Sequence, residues 1–226
     1  ETMSLKKAEE VLKEYFGYDS LRVGQDKIIE NILLNRDVVG IMPTGAGKSI
    51  CFQIPALIFE GVTIVISPLI SLMKDQVNSL TQLGIKAAYL NSSLTERQYF
   101  AVLDNIKSGM YKIIYIAPER LLVNGFVDIL KNLDVSMVTI DEAHCISEWG
   151  HDFRPEYRRI QAIVSKIGKA PIIALTATAT PKVQHDIQKN LGMLDATVFK
   201  SSFNRANLYY EVRPKTDDVD KEIIRY

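Results

Sequence analysis

The sequence has few of the features that mark secreted or membrane proteins. It contains only two cysteines, Cys51 and Cys145, and neither lies in a Cys-x-x-Cys pair or in a Cys/His cluster with zinc spacing. We therefore expect two reduced thiols rather than a disulfide framework. No apolar run reaches the roughly 18 residues that a membrane span requires, and the chain does not open with a secretory signal. These absences predict a cytoplasmic protein without a membrane partner.

An excess of charge of either sign is also missing. The 226 residues include 27 Lys and Arg and 27 Asp and Glu, so the overall charge gives no argument for nucleic-acid binding. Any such site must come from local clustering. Apolar residues make up 47% of the chain, which is ordinary for a globular protein large enough to bury its own core.

Short apolar runs alternate along the chain with segments of helical periodicity. Most of the runs are continuous, which is typical of strands buried on both faces of a sheet. The predicted strands are 38–42, 63–67, 86–90, 113–117, 136–140 and 172–175, with 209–212 as one more. The predicted helices are 5–16, one after Gly24, 48–59, 69–83, 95–108, 155–167 and 181–191. The pattern predicts an α/β fold with a parallel sheet of about six to seven strands and helices on both faces.

A glycine-rich turn follows the first predicted strand. Such a turn between a strand and a helix aims backbone N–H groups at phosphates, and the helix N-terminus adds positive potential. Lys48 would reach the β- and γ-phosphates of a nucleotide, and the Ser49 hydroxyl would bind Mg²⁺. An ordinary strand-to-helix turn is the alternative. The predicted phosphate loop comprises Thr44, Gly45, Ala46, Gly47, Lys48 and Ser49, preceded by Met42, where the longer phosphate-loop pattern has glycine.

Acidic and hydroxyl residues follow two later strands. Asp141 and Glu142 come directly after strand 136–140, at the edge of a parallel sheet where ligands bind. We expect Asp141 to hold Mg²⁺ and Glu142 to deprotonate the attacking water. His144 is predicted to couple the nucleotide to the rest of the protein.

Strand 172–175 leads into a run of alternating threonine and alanine, and we expect its hydroxyls to hydrogen-bond the acidic motif or a neighbouring domain. Thr176 and Thr178 are predicted to have this coupling role. Thr180 is predicted to cap the helix that starts at Pro181.

In combination and order, these motifs resemble the RecQ family of superfamily-two DNA helicases. The resemblance runs from about residue 5 to residue 212, and segment 202–208 resembles the end of that family's first motor domain. It implies a RecA-like fold with N-terminal helices in 1–34, the motor domain in 35–213, and a linker with the start of a second motor domain in 214–226. Segment 16–25 resembles the family's adenine-reading segment. By this resemblance, Gln25 bonds the adenine edge while Tyr18 and Arg22 sandwich its ring.

Residues 148–157 resemble the aromatic-rich loop with which RecQ proteins sense single-stranded DNA. Aromatic side chains on a loop suit base stacking, worth about 1–3 kcal/mol per base. The alternative is that Trp149 and Phe153 anchor the core. The loop residues assigned to DNA are Trp149, His151, Phe153 and Arg154.

Three further segments fit a surface that tracks a DNA strand. Two of them place helix N-termini beside hydroxyl and basic groups, which bind phosphates. A plain capped helix is an equal alternative for each segment taken alone. The residues assigned to DNA here are Pro68, Ser71, Lys74, Gln76, Asn91, Ser92, Glu119 and Arg120.

The resemblance implies an ATP- and Mg²⁺-dependent 3′→5′ DNA helicase that acts on single-stranded and duplex DNA, in the cytoplasm at a bacterial nucleoid. It also implies a second motor domain in cis that supplies an arginine finger, so this chain alone should bind ATP and turn it over slowly. Two alternatives stay open. One is a regulatory nucleotide-binding module without turnover, and the other is an RNA helicase of the DEAD-box type, against which His144 and the Trp149 loop argue.

Overall fold

A single nine-stranded sheet organises the protein in this computed structural model. The structure describes residues 3–43, 45–202, 208–213 and 221–225. The spatial order of the strands is β3-β4-β2-β5-β6-β1-β7-β8-β9, and the first seven are parallel. The strands are β1 (Val38–Ile41), β2 (Val62–Ile66), β3 (Ala87–Leu90), β4 (Ile113–Ile116), β5 (Val135–Ile140), β6 (Ile172–Thr176), β7 (Thr197–Ser202), β8 (Leu208–Arg213) and β9 (Lys221–Arg225).

Helices cover both faces of this sheet, as each βα crossover requires. They are α1 (Met3–Val11), α2 (Gln25–Leu33), α3 (Ala46–Ile58), α4 (Ile70–Gln82), α5 (Glu96–Lys107), α6 (Pro118–Leu121), α7 (Phe126–Lys131), α8 (Ile160–Ile167) and α9 (Pro181–Asn190). α1 continues as a π-helical turn, Leu12–Phe16, and 3₁₀ turns span Ala143–Ile146 and Pro155–Arg159. Among the described residues, no helix is long and apolar enough to cross a membrane.

Buried apolar side chains fill the space on both sides of the sheet. β1, β2 and β4 are buried at every position, which explains why their sequences are continuous apolar runs. A smaller apolar cluster joins α1, α2 and α3 through Ala8, Ile29 and Ile54. The N-terminal helices are therefore packed onto the helix that follows the glycine-rich turn.

The register brings the predicted motifs to one edge of the sheet. Ile41 is paired with Thr176, and Ile66 is paired with Ile140. Because these strands are parallel, the turn after β1, the carboxylates after β5 and the threonines after β6 all emerge side by side. The strand order, and not the sequence spacing, creates this proximity.

The predicted α/β fold with a parallel sheet is confirmed, and all six predicted internal strands are present. The elements that were not predicted include β7, which completes the parallel set beside β1, the short helix α7 and the strand β9. Segment 209–212 is a strand, but β8 is antiparallel to β7. β9 adds to the edge of the same sheet beside β8. Segments 203–207 and 214–220 lie outside the described residues, and the domain boundaries at 34 and 213 stay predictions.

Candidate active site

The turn after β1 begins α3 in the geometry that a phosphate loop needs. Gly45 stands at the N-cap of α3 with φ 138°, a conformation that favours glycine. Lys48 lies in the first turn of α3 and is only 4% exposed. The helix N-terminus and the lysine ammonium thus converge on one point. Thr44 lies outside the described residues.

Lys48 forms a buried ionic cluster with both predicted carboxylates. Its Nζ lies 2.8 Å from Asp141 Oδ1 and 3.3 Å from Glu142 Oε1. Burial disfavours the ammonium, but Asp141 and Glu142 outweigh burial and raise the pKa of Lys48. Burial also raises the pKa of the Asp141 carboxyl, against the effect of Lys48. The cluster gathers at one place a cation for phosphates, an oxygen ligand for a metal ion and a potential base.

Glu142 adopts a strained backbone conformation. Its φ is 52°, a left-handed value that costs a residue other than glycine about 1–3 kcal/mol. This conformation turns the backbone away from the direction of β5, so that the Glu142 carboxylate lies between Lys48 and His144. Tyr157 donates a hydrogen bond of 3.1 Å to the carbonyl oxygen of Asp141 from the other side. The buried Tyr157 was not predicted, and it braces the strained turn.

His144 lies between Glu142 and the threonines at the end of β6. Its Nδ1 lies 2.7 Å from Thr176 Oγ1, and the Thr176 hydroxyl donates to the carbonyl oxygen of Thr178 at 3.1 Å. The hydroxyl has one proton, so His144 Nδ1–H is the donor to Thr176. His144 Nε2 then faces Glu142 Oε2 at 3.6 Å without a hydrogen bond. Burial lowers the pKa of His144, which keeps this imidazole neutral.

The aromatic loop lies directly against His144. The rings of His144 and His151 are stacked with centroids 4.3 Å apart. Trp149 is 62% exposed, so the core-anchor alternative is wrong for this residue. Lys182 of α9 lies over its indole, with Nζ 3.4 Å from the ring centroid. The loop therefore presents the Trp149 side chain to solvent, while its His151 ring packs against His144.

The remaining loop residues are held by charges. Phe153 is half-buried beneath the guanidinium of Arg158, 5.5 Å from the ring centroid. Arg154 pairs with Asp152 at 3.2 Å. His144, Cys145 and Asp152 have potential ligand atoms within 4.8 Å of one another. Burial raises the pKa of the Cys145 thiol to about 12, so the thiol stays protonated and donates toward Asp152.

The predicted adenine-reading segment borders a cleft of about 540 Å³ that Lys48 and Ser49 also line. Tyr18 and Arg22 lie on this cleft. Gln25 ties the segment to the phosphate loop, because its Nε2 donates to the carbonyl oxygen of Gly47 at 2.9 Å. Its Oε1 accepts from the backbone N–H of Arg22 at 2.7 Å. The adenine contacts of these three residues stay predictions.

The residues predicted to track DNA fall into two groups. Pro68, Ser71 and Lys74 line a second cleft of about 600 Å³ on the outer side of α4. Ser92 and Glu119 are exposed, and Arg120 lies over the ring of Tyr99.

Two predicted DNA residues do not face that cleft. Asn91 is fully buried at 0% exposure and accepts from the backbone N–H of Ser93, so the prediction that its side chain contacts DNA is wrong. Gln76 donates to Ser49 Oγ at 3.0 Å, on the side of α4 that faces the glycine-rich turn. Tyr115 donates to Gln76, and Gln53 donates to Tyr115. Neither residue was predicted, because nothing in a buried strand or a helix interior marks a site.

A parallel sheet with a phosphate loop facing two carboxylates and a coupled threonine defines the motor-domain class of nucleotide-dependent proteins. Residues 22–187 match the family model of DEAD/DEAH box helicases. The chain therefore belongs to the DEAD/DEAH box helicase family.

Similarity to individual proteins points to a narrower group within this family. The chain is 50% identical over 224 residues, 98% of its length, to the ATP-dependent DNA helicase RecQ of Bacillus subtilis (strain 168). It is 49% identical over 206 residues, 91% of its length, to the ATP-dependent DNA helicase RecQ of Pasteurella multocida (strain Pm70). The predicted resemblance to RecQ helicases is confirmed. The chain covers 38% and 33% of those relatives, so it spans about a third of their length.

A solved structure shows the same fold. The crystal structure of a hypothetical ATP-dependent RNA helicase from Sulfolobus tokodaii superimposes with a TM-score of 0.64 at 22% identity. The alignment covers 87% of this chain and 57% of that one. At this identity the likeness supports the fold alone.

Proposed function

We propose that this chain binds and hydrolyses ATP as the first motor domain of a 3′→5′ DNA helicase. The observation that carries the proposal is the Lys48–Asp141–Glu142 cluster at the mouth of the phosphate loop. When ATP enters, its phosphates replace the carboxylates as partners of Lys48. Release from Lys48 leaves Glu142 with an unpaired carboxylate beside the γ-phosphate, where it can accept a proton.

The chemistry assigned to these residues is phosphoryl transfer to water. A water oxygen forms a bond to the γ-phosphorus while the bond to the bridging oxygen of ADP breaks, and Glu142 takes the proton of the water. Lys48 stabilises the charge that develops on the phosphate oxygens. His144 lies beside Glu142 and hydrogen-bonds Thr176 at the end of β6, so it can transmit changes at the ATP site to these threonines.

The oxygen donors of this site fit a magnesium ion. Ser49 supplies a hydroxyl and Asp141 a carboxylate, which are the hard ligands that Mg²⁺ prefers beside nucleotide phosphates. Gln76 occupies only one of the two lone pairs of Ser49 Oγ, so the other is open to a cation. A bound Mg²⁺ would neutralise phosphate charge. Adenine would lie in the 540 Å³ cleft against Tyr18 and Arg22, with Gln25 at its edge.

DNA is the substrate that the relatives' names favour, since both RecQ proteins are called DNA helicases. Single-stranded DNA would run across the cleft at Ser71 and Lys74 and reach the exposed Trp149. Duplex DNA would be unwound by the longer protein, in which a second motor domain completes the ATP site. Because its substrate would be DNA, this protein would act at the nucleoid.

The test of this proposal is the nucleic-acid dependence of ATP hydrolysis in the full-length protein. We expect single-stranded DNA to stimulate phosphate release more strongly than single-stranded RNA of the same sequence. A protein of the RNA-helicase alternative would show the opposite order. Hydrolysis that neither nucleic acid stimulates would overturn the helicase assignment.

A further inference from the structure

A chain of hydrogen bonds connects the phosphate loop to the middle of α4. Gln53 Nε2 donates to the hydroxyl of Tyr115 at 3.1 Å. That hydroxyl donates to Gln76 Oε1 at 2.6 Å. Gln76 Nε2 in turn donates to Ser49 Oγ at 3.0 Å. The chain begins and ends on α3 and passes through β4 and α4.

The hydrogen bonds in this series all run in the same direction, from donor to acceptor. A glutamine amide has both a donor and an acceptor, and a phenol can donate and accept at once. Tyr115 is only 2% exposed, and burial raises its pKa far above the ordinary value, so its hydroxyl keeps the proton that it donates. The consequence is that Gln76 presents its NH₂ group, and not its oxygen, to Ser49.

α4 therefore presents different residues to the two clefts. Lys74 and Gln76 are two positions apart, which places them about 200° apart around a helix. Lys74 lines the outer cleft assigned to DNA, whereas Gln76 lines the cleft assigned to ATP. A displacement of α4 at the outer cleft would move the amide that holds Ser49.

We propose that Gln76 is a positioning residue of the nucleotide site, which fixes the Ser49 hydroxyl for Mg²⁺ and connects α4 to the phosphate loop. This inference rests on the proposed ATP binding and adds a residue to it. Gln76 acts through Ser49 and does not contact the reacting atoms. Its contribution should therefore appear only when the metal ion is present.

The test is a titration of the chain with a fluorescent, non-hydrolysable ATP analogue in Mg²⁺ and again in EDTA. For Gln76→Leu we expect about a tenfold loss of affinity in Mg²⁺, comparable to the contribution of one hydrogen bond, because the Ser49 hydroxyl is no longer oriented toward the metal ion. In EDTA the affinity should change less than about twofold, well below the cost of one hydrogen bond. Gln82→Leu is the matched control, because Gln82 is exposed on the same helix.

Tyr115→Phe provides a second variant if Gln76→Leu does not fold. It keeps the ring and removes only the hydroxyl that orients Gln76, so we expect a smaller loss that is again confined to Mg²⁺. Thermal unfolding of each variant checks that it folds. Equal losses in Mg²⁺ and EDTA, or a Gln76→Leu variant that matches Gln82→Leu, would overturn the inference alone. Failure of the unsubstituted chain to bind the analogue in either buffer would instead overturn the proposed ATP binding.

Discussion

Glu142 has a backbone conformation that is unfavourable for a residue other than glycine. Its backbone is left-handed at φ 52° and its carboxylate lies 3.3 Å from the buried ammonium of Lys48. Strained residues of this kind persist where the surrounding structure holds them in place, and here Tyr157 and Lys48 do so. The strain places Glu142 between the phosphate site and His144, which is the position that a base for hydrolysis needs.

The role of Glu142 predicts a separation of binding from turnover. Glu142→Gln should lower the rate of phosphate release in the full-length protein by about 10²–10⁴-fold, the usual contribution of a general base. The affinity for ATP should change by less than about threefold, because Lys48 still binds the phosphates. Glu148→Gln, which alters an exposed acid nearby, is the control. An unchanged rate of hydrolysis would show that Glu142 is not the base.

His144 predicts a dependence of stability on pH. Burial lowers its pKa below 6.5 in the folded state, so between the lowered value and 6.5 the unfolded chain binds more protons than the folded one. Stability from this residue is therefore lost as pH falls through that window. His144→Asn should make the decline in the free energy of unfolding between pH 7 and pH 5.5 shallower. His185→Asn, at an exposed position, should leave the decline unchanged, and a matching slope in both variants would contradict the assignment.

The sequence predicted the individual residues of the Lys48–Asp141–Glu142 cluster but not which residues support them. Asp141 and Glu142 follow β5 and Thr176 ends β6, so the predicted ends of those strands were enough to place them. Gln76 was assigned to DNA because its neighbours at the start of α4 suit phosphates, and the sequence does not tell which face of a helix points to which cleft. Contacts across the sheet edge depend on strand order, which periodicity cannot supply.

The helix α9 holds the aromatic loop at two points. Lys182 lies over Trp149, and Asp186 accepts a 2.7 Å hydrogen bond from the hydroxyl of Ser147. Thr180 caps the same helix by accepting from the backbone N–H of Val183, as its sequence predicts. Because α9 follows the threonines that contact His144, the loop and the catalytic site share one supporting element.

The contact between Lys182 and Trp149 can be measured directly, because Trp149 is the only tryptophan. Lys182→Ala should increase the quenching of its fluorescence by acrylamide, since a cation over the ring, worth about 0.5–1 kcal/mol at an exposed site, no longer covers one face. Lys189→Ala, in the last turn of the same helix, should have no effect. Equal quenching in the two variants would show that Lys182 does not cover the indole.

The elements that periodicity missed have weak patterns for physical reasons. In β7 only Val198 and Phe199 are consecutive buried apolar residues, and Lys200 and Ser201 follow. Its pairing with β1 stabilises it despite this composition. α7 has six residues, fewer than two turns, which is too short for a helical period to appear. The long helices and the continuous apolar strands were predicted because they extend over enough residues.

At the scale of the whole molecule, the sheet order brings the phosphate loop, the carboxylates and the threonines together, and the N-terminal helices close one side of the cleft. The chain spans about a third of the length of the RecQ relatives. Under the proposed function, full ATP turnover needs the second motor domain that completes the ATP site. We expect the chain alone to bind ATP through Lys48 and to hydrolyse it slowly.

The central claim is that Lys48 and its glycine-rich turn bind the phosphates of ATP. Isothermal titration calorimetry with a non-hydrolysable ATP analogue and Mg²⁺ tests this claim by comparing Lys48→Ala with the unsubstituted chain. Thermal unfolding first confirms that both proteins fold. Loss of a charged hydrogen bond of about 1.5–3 kcal/mol predicts affinity reduced about 10- to 100-fold. Equal affinity in the two proteins would contradict the account.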